Sequence, residues 1–495
     1  MTLLLALLAC RPPAAPVAPS AELVLLHTND MHCHFQPERA DWLEGEPSIG
    51  GMALLDAQVR ALRASSPASL LLDGGDILTG TPLGGIAARG ADGGPMLEFM
   101  DAIGYDAWVL GNHEFDRGWD NVAALVEASQ IPVLSANLDA PGGGPAFPAL
   151  QDHVVLETGG LKVGVIGLTT EGMSHLAPLG VMDHLVVQDI VDTAQEQVAA
   201  LEPQVDLIVV LSHVGVDGDR KVAREVDGID LIVGGHSHTR LEQPVQEGDT
   251  WIVQAGSYTR NLGVARLGVV DGAVDHFSAE LVDLLPETSP GPASEAVTAL
   301  VDTYAAQIDA EFGEVLGTAT STLTRDYNHE SPLGRWITDV LREATGADVA
   351  LYNAGGLRAD LVAGPISRRA VYEVFPFGNQ AVTLTLSGAE ISRILEENVD
   401  AARGDHASMQ VSGASIRWKG DAVVERTIGG APIEPERLYT VATNSYVAER
   451  PDKYLANAVV KGLTSTGRTT FEIASEAASS SPIADPGDTR CGPVD

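Results

Sequence analysis

Residues 23–32 read LVLLHTNDMH, an apolar run that ends in a polar loop. Four other apolar runs of the chain end in the same way, with Asp, Asn or His side chains shortly after them. Runs of this length, bounded by Gly and Asp, predict strands that are buried on both faces. Open α/β sheets bind ligands beyond the carboxyl ends of their strands, and we expect the five loops to meet there. The loops carry Asp30 and His32, Asp76, Asn112, His213, and His236 with His238.

These side chains offer enough oxygen and nitrogen atoms for two divalent cations. One Asp-x-His pair alone is a weak signal, since such residues commonly cap helices, but five fragments in one arrangement are specific. Two cations about 3.5–4 Å apart hold a bridging water, lower its pKa and neutralise a phosphoryl group under attack. Carboxylate, carboxamide and imidazole ligands fit zinc, manganese or iron, and they leave the choice among these metals open.

The chain resembles the calcineurin-like metallophosphoesterases, and within them the bacterial 5′-nucleotidase and UDP-sugar hydrolase family. Two segments carry the resemblance, residues 27–34 (HTNDMHCH) and residues 111–116 (GNHEFD). It implies an α/β fold, with an N-terminal α-β-β-α sandwich joined by a helical linker to a smaller α/β substrate-binding domain. It also implies that Asp76 is shared by two metal sites, one completed by Asp30, His32 and His238 and the other by Asn112, His213 and His236.

Two further residues of these segments receive interpretations. The resemblance implies that His113 is catalytic rather than a ligand, stabilising the transition state or protonating the leaving oxygen, and that Asp116 orients it. The alternative for His113 is a helix-cap residue. Cys33 stands where the family usually has Gly, and we expect a small buried side chain there rather than a third kind of metal ligand.

The length of the chain and a Pro-rich segment predict the domain organisation. A chain of 495 residues is too long for one core, and a Pro-rich segment interrupts it between Pro286 and Pro292. Apolar residues at helical spacing over 296–312 then predict an amphipathic connecting helix. In the second domain we expect helices over 333–343 and 388–399 and a strand over 349–352. The predicted units are 1–21 (signal and tether), 22–286 (metallophosphoesterase domain), 287–313 (linker), 314–480 (nucleotide-binding domain) and 481–495 (tail).

The second domain also resembles the nucleotide-binding domain of the same family. Residues 353–358 (NAGGLR) match its Gly-rich turn, and Arg358 offers a planar donor fork for phosphate oxygens. The resemblance implies that Phe377 and Tyr446 sandwich a base, since stacking tolerates any base; the alternative is that both are ordinary core aromatics. The substrate-binding residues predicted on this basis are Arg325, Asn353, Gly356, Arg358, Phe377, Tyr446 and Asp452.

One segment departs from the family pattern. The usual Gly-Gly-Asp-Gly is replaced by Arg450-Pro451-Asp452-Lys453, so two flexible glycines become a charged residue and a proline. We expect a stiffer and bulkier loop, which affects base and ribose recognition more than phosphoryl chemistry.

Charge and the amino terminus limit the partners. The formal charge of −38 opposes binding to nucleic-acid polymers or anionic membranes, so we expect a small phosphate ester as substrate and no protein partner is implied. Leu3 to Ala9 followed by Cys10 resembles a bacterial lipobox, and the Pro/Ala-rich segment 11–20 resembles a tether. We expect a periplasmic or cell-surface protein, linked to the membrane only through lipidation of Cys10; a soluble protein with an apolar N-terminus is the alternative.

Three functions remain open on the sequence. The first is a 5′-nucleotidase that uses a metal-bridging hydroxide. The second is another specificity on the same centre, such as a 2′,3′-cyclic nucleotide phosphodiesterase, a UDP-sugar or nucleotide pyrophosphate hydrolase, or a sulfur-ester hydrolase. The third is a non-enzymatic envelope binding protein, which the retention of every ligand and of His113 disfavours.

Overall fold

The computed structural model describes residues 21–494 except 41, 179, 271–272, 402–408, 421 and 481. Cys10 and the predicted tether lie outside the described residues. In the N-terminal half of this range, seven strands form one sheet. Its central strands are parallel, and the last two are antiparallel. In sheet order the strands are Leu150–Gln151, Val133–Leu134, Ala107–Val109, Ser69–Asp73, Ala21–Thr28, Asn261–Val270 and Ala273–Asp283.

A second sheet lies against the first. Six strands of the described chain form it, and its four central strands are parallel. In sheet order they are His153–Thr158, Leu161–Thr169, Leu207–His213, Leu231–Val233, Thr250–Val253 and Val245–Glu247.

The apolar runs are continuous because each strand is covered on both faces. Leu23 and Leu25 join the core between the two sheets, whereas Val24 and Leu26 point to the helices on the outer face. Helices Met52–Ser65, Gly94–Ile103 and Trp119–Ala128 contribute to the core on the outer face of the first sheet. Helices Ile190–Leu201 and Val216–Glu225 cover the second sheet. This is the predicted α-β-β-α sandwich.

The predicted connecting helix is present as Glu295–Phe312. The Ser294 hydroxyl caps it by accepting a hydrogen bond from the Val297 N–H. Its apolar side chains Val297, Tyr304 and Ile308 join the outer core of the first sheet. The helix therefore packs on the N-terminal domain along its length rather than bridging open solvent.

The C-terminal domain is built on a five-stranded sheet, counted over the described residues. In sheet order its strands are Met409–Ser412, Val349–Asn353, Leu438–Asn444, Gln380–Ser387 and Lys461–Thr469. Helices Pro332–Thr345, Arg368–Val374 and Thr470–Ser480 contribute to the core on one face, and Gly388–Ala401 contributes to the core on the other. Two short helices, Ser445–Ala448 and Pro451–Tyr454, follow the third strand of this order.

Smaller elements complete the chain. The strand pairs are Val315–Ala319 with Gly364–Ser367, Glu38–Arg39 with Ser48–Ile49, Ala87–Ala88 with Ala91–Asp92, and Leu138–Asp139 with Val186–Val187. A further sheet has the order Ala431–Pro432, Ala422–Ile428, Ala414–Lys419, Cys491–Pro493. Short helices are Pro82–Gly85, His113–Phe115, Met173–Leu176, Val181–Asp183, Pro286–Thr288 and Ala354–Gly356.

The predicted tail 481–495 contains an ordered strand. Cys491–Pro493 pairs in parallel with Ala414–Lys419, and the Arg490 guanidinium is buried against the carboxylates of Asp339 and Asp488. The sequence assigned no strand to this segment, and Arg490 pairs with Asp339, which is distant in sequence. No helix of the described chain is both long and apolar enough to cross a bilayer.

Candidate metal centre and substrate cavity

The predicted ligands lie in tight loops at the carboxyl ends of the strands. Five of them have a left-handed backbone, with φ of 51° at Asp30, 48° at His32, 55° at Asp76, 72° at His236 and 52° at His238. Non-glycine residues rarely adopt this conformation, and such strain concentrates at functional sites. Gly75, at φ 85°, precedes Asp76 because a Cβ there would lie 2.8 Å from both the His213 Nδ1 atom and the Val109 carbonyl oxygen.

A first group of ligand atoms belongs to Asp30, His32 and His238. The Nε2 atom of His238 lies 3.3 Å from Asp30 Oδ1 and 3.0 Å from His32 Nε2. His32 Nδ1 lies within 2.9 Å of the carbonyl oxygens of Leu78 and Thr79, so it donates to the backbone and leaves the Nε2 lone pair facing the group. Burial and the neighbouring His238 hold the pKa of His32 well below its ordinary value, so the ring is neutral.

A second group joins Asp76, His213 and His236. His213 Nδ1 donates to the Gly74 carbonyl oxygen at 2.6 Å, and its Nε2 lies 3.0 Å from Asp76 Oδ2. That carboxylate oxygen is also 3.9 Å from His32 Nε2, so Asp76 lies between the two groups. Burial alone lowers the pKa of His213, but the Asp76 carboxylate raises it to about 10; burial and then His213 lower the pKa of His236 to about 4.

The buried polar atoms of the second group fit a bound cation. Within the described part of the chain, Asn112 Oδ1 and His213 Nε2 are buried without a hydrogen-bond partner. An unpaired buried polar atom is costly, and His213 Nε2 and Asp76 Oδ2, 3.0 Å apart, are close enough to be ligands of one cation. The mixed nitrogen and oxygen donors of both groups suit borderline divalent metals. The residues present therefore fit two metal ions.

His113 lies at the edge of both groups. Its Nε2 is 4.0 Å from Asp76 Oδ2, and its backbone N–H donates to Asp76 Oδ1 at 2.8 Å. Its Nδ1 lies 2.6 Å from Asp116 Oδ2, which also accepts from the Thr79 hydroxyl at 2.7 Å. Burial by itself lowers the pKa of His113, but the carboxylates of Asp116 and Asp76 raise it above its ordinary value.

Two buried residues support the ligand loops and were assigned no role on the sequence. The Glu114 carboxylate accepts hydrogen bonds from the N–H groups of Asp76, Leu78 and Gly111, and burial together with the Asp76 charge raises its pKa to about 7. Asn29 donates to Asp30 Oδ2 at 2.6 Å and accepts from the Ala255 N–H at 2.8 Å. Asn29 lies within residues 27–34 and Glu114 within residues 111–116, and each is close in sequence to a predicted ligand. This position was the available signal for a supporting role.

The Cys33 thiol is fully buried, as expected for a small packed side chain. Its Sγ lies 3.5 Å from the Ile77 carbonyl oxygen, and burial raises its pKa to about 12. Cys33 is not among the His, Cys, Asp and Glu residues whose ligand atoms cluster in the described part of the chain.

A cavity of about 380 Å³ opens beside His113, between the two domains. Asn112, His113 and Asp116 line it from the N-terminal domain. The predicted substrate-binding residues that line it are Asn353, Gly356, Arg358, Phe377 and Tyr446. Phe377 stacks on the His113 ring with centroids 5.7 Å apart, and the Arg358 guanidinium lies 5.7 Å from the centroid of Phe377.

The structure does not bring Arg325 and Asp452 to this cavity. Arg325 is exposed, and its backbone N–H donates to Asp360. Asp452 is exposed on the short helix Pro451–Tyr454, and the residues of this helix that line the cavity are Lys453 and Tyr454. Five further residues that line the cavity were not predicted: Tyr327, Glu449, Arg450, Lys453 and Tyr454. Arg450 and Lys453 lie in the segment that departs from the family pattern, and that departure was the available signal for these two.

Comparisons with known proteins agree with this arrangement. The model of the calcineurin-like phosphoesterase family matches residues 23–240, and that of the 5′-nucleotidase C-terminal domain matches residues 311–458. The crystal structure of a 5′-nucleotidase precursor from Thermus thermophilus is 30% identical, with a TM-score of 0.84 over 96% of this chain and 100% of that one. The chain belongs to the 5′-nucleotidase family. The family consists of metal-dependent phosphoric ester hydrolases with a dinuclear metal centre, and this member is such an enzyme.

The chain was also compared with two relatives, and it covers most of the length of one and about a third of the other. The 5′-nucleotidase of Vibrio parahaemolyticus is 29% identical over 91% of this chain and 88% of its own length. The trifunctional nucleotide phosphoesterase protein YfkN of Bacillus subtilis is also 29% identical over 88% of this chain, but the chain spans only 32% of that protein. The predicted family, fold and enzyme class are confirmed by these comparisons.

Proposed function

We propose that this enzyme hydrolyses nucleoside 5′-monophosphates to a nucleoside and inorganic phosphate. One observation carries the proposal: His113 lies 4.0 Å from Asp76 and at the same time stacks on Phe377. The ligand groups and the aromatic wall of the cavity therefore share a residue. A substrate with a phosphate at one end and a flat ring at the other fits this juxtaposition.

Each part of the chain has a proposed task. The segment 22–286 carries the metal ligands, and the segment 287–313 connects the two domains. The segment 314–480 binds the part of the substrate beyond the phosphoryl group. When two divalent cations are bound at Asp30, His32, Asp76, Asn112, His213, His236 and His238, they supply charge neutralisation for the phosphoryl group and a lowered pKa for water. The proposal for Arg358 is that its guanidinium binds phosphate oxygens as a planar fork.

His113 is proposed to protonate the departing 5′-oxygen. Its Nδ1 is held by Asp116, so the opposite nitrogen, Nε2, faces Asp76 and the cavity. A proton on Nε2 is then placed for transfer to an oxygen between the ligand groups and the cavity. Phe377 and Tyr446, which line the same cavity, are proposed to stack on the base, as any base offers a π face.

A hydrolysis screen tests this function, with the products separated by chromatography as well as the phosphate assayed, because cleavage of a 2′,3′-cyclic nucleotide or of a UDP-sugar pyrophosphate leaves phosphomonoesters and no free phosphate. Purified protein supplied with manganese or zinc is incubated with AMP, GMP, CMP and UMP, with 2′,3′-cyclic nucleotides and UDP-sugars, and with an aryl phosphate. We expect the highest kcat/KM for a nucleoside 5′-monophosphate, and we expect Asp76→Asn to release no phosphate from it. Preference for a cyclic nucleotide or a UDP-sugar would replace it by that specificity, and release of no phosphate from any nucleotide would refute it.

We also propose an envelope location, with Cys10 as a lipidated residue. The support is the apolar run Leu3 to Ala9 directly before Cys10 and the Pro/Ala-rich segment after it. Expression of the full chain in a bacterium, followed by fractionation and mass spectrometry of the N-terminal peptide, tests it. A diacylglyceryl mass on Cys10 that Cys10→Ser abolishes is expected, and an unmodified cytosolic peptide would contradict the proposal.

A further inference from the structure

The segment that departs from the family pattern places a buried arginine beside the cavity. Arg450 is 6% exposed, although it stands where the family pattern has glycine. Removing a guanidinium from water is costly unless the group is paired and hydrogen-bonded. Its contacts therefore indicate what this residue does.

The guanidinium of Arg450 packs on the ring of Tyr446. Its central carbon lies 3.9 Å from the ring centroid, and Nη1 donates to the Tyr446 carbonyl oxygen at 3.2 Å. A cation over an aromatic face is attracted by the ring quadrupole, more strongly when the pair is desolvated. The carboxylate of Glu449 lies 3.8 Å from Nη1 and balances part of the charge. Arg450 thus contacts Tyr446 within the C-terminal domain, at the face of its ring and at its carbonyl oxygen.

The same two side chains reach across the domain boundary. Nη2 of Arg450 donates to the Ala177 carbonyl oxygen, and the Tyr446 hydroxyl donates to the His175 carbonyl oxygen at 2.9 Å. His175 and Ala177 belong to the N-terminal domain, at the end of the short helix Met173–Leu176. The neighbouring residues Leu176 and Pro178 line the cavity. We call these four residues, Tyr446, Arg450, His175 and Ala177, the latch.

We propose that Arg450 is a positioning residue that fixes the Tyr446 ring as one wall of the cavity and fastens that wall to the metal-binding domain. The inference rests on the proposed function in one respect, since it takes the ring to be the surface on which the nucleobase stacks. Both cross-domain hydrogen bonds end on backbone carbonyls, so they depend on the orientation of the domains and not on the side chains at 175 and 177.

Kinetics separate this role from a general structural one. Arg450→Ala is expected to raise KM for AMP at least tenfold and to change kcat less than threefold, because the phosphoryl end of the site is untouched. For an aryl phosphate too short to reach Tyr446, KM should change less than twofold. Arg450→Lys keeps a cation near the ring but not the planar fork. Its KM for AMP should lie between that of the wild type and that of Arg450→Ala.

A matched control exists in the same domain. Arg437 lies 4.9 Å from the Tyr439 ring centroid on an exposed surface and does not line the cavity. Arg437→Ala removes the same charge and the same kind of ring contact, and it should leave both substrates unaffected. An equal rise of KM for AMP and for the aryl phosphate in Arg450→Ala would overturn the proposal.

Hydrogen exchange tests the latch without any nucleotide. Amides of residues 173–177 should exchange at least threefold faster in Arg450→Ala and in Tyr446→Phe than in the wild type or Arg437→Ala. Tyr446→Phe keeps the ring and loses only the bond to His175, so it serves if Arg450→Ala does not fold. Unchanged exchange in a folded variant refutes the latch. Wild-type protein that cleaves only the aryl phosphate refutes the proposed function and leaves the exchange result to decide the latch.

Discussion

His113 and Asp116 form a pair in which the Nδ1 atom of the imidazole lies 2.6 Å from a carboxylate oxygen. Thr79 donates to the same oxygen, so the carboxylate itself is held in place. The pair is local in sequence, three residues apart within the turn that follows the strand Ala107–Val109. It directs the other imidazole nitrogen towards Asp76.

Removal of the His113 imidazole should affect turnover and not metal content. We expect His113→Ala to lower kcat by about 10²- to 10⁴-fold, the usual contribution of a general acid. Asp116→Asn only loosens the imidazole ring of His113, and it should lower kcat by about 10- to 100-fold. Turnover is measured with AMP and metal content by elemental analysis. Normal turnover in His113→Ala would remove it from the mechanism.

Loss of a ligand should change metal stoichiometry in a pattern that the two groups dictate. His238→Asn removes a ligand from the group of Asp30 and His32, so about one of two metals is expected to remain. Asp76→Asn weakens both groups, because its Oδ2 lies between His213 and His32. The control is His276→Asn, an exposed histidine on the strand Ala273–Asp283, which should retain both metals. Elemental analysis after dialysis against a weak chelator gives the stoichiometry, and equal loss in all three variants would contradict the grouping.

Truncation of Phe377 should discriminate between substrates. Base stacking on an aromatic side chain is worth about 1–3 kcal/mol, so Phe377→Ala should raise KM for AMP roughly 5- to 150-fold. An aryl phosphate, which has no base to stack, should show a smaller change. Steady-state kinetics on both substrates measure the difference. A similar rise for both would mean that Phe377 acts through its contact with His113 and not on the base.

Asp230 should make stability depend on pH. Its carboxylate accepts a hydrogen bond from the Ile208 N–H at 2.8 Å, and burial raises its pKa from 3.8 to about 6. A folded-state pKa above the unfolded value means that the protonated form is favoured on folding. This stabilisation is complete below pH 3.8 and is lost as the pH rises through about 6. Asp230→Asn does not titrate, so its stability relative to the wild type should improve by about 1–2 kcal/mol between about pH 5 and 7.5.

Chemical unfolding at the two pH values measures this change. Asp206 offers a matched control, because it also precedes a buried strand and accepts from a backbone N–H, that of Lys162 at 2.8 Å, in an exposed position. Asp206→Asn is measured at the same two pH values for comparison. A pH-independent difference between Asp230→Asn and the wild type would mean that the carboxyl group does not titrate differently on folding.

The fold was predictable because its signals are local. Each apolar run, such as Leu23 to Leu26, alternates between the core of the two sheets and the helix-covered face, and burial of both faces requires an uninterrupted apolar sequence. The tail was less predictable, since the Arg490 guanidinium pairs with one carboxylate that is distant in sequence, that of Asp339, as well as with the nearby Asp488.

The sequence by itself determined the family, the fold class and the kind of chemistry, because each candidate ligand lies within a few residues of the strand that carries it. Only the tertiary structure decided the wall of the cavity. Tyr327, Lys453 and Tyr454 line the cavity, whereas Arg325 and Asp452 do not. The physical reason is that this wall joins segments of two domains, and the side that a four-residue helix presents is set by what packs against it. The hydrogen bond from Arg450 to the Ala177 carbonyl oxygen is of this kind, since it joins residues 273 positions apart in the chain.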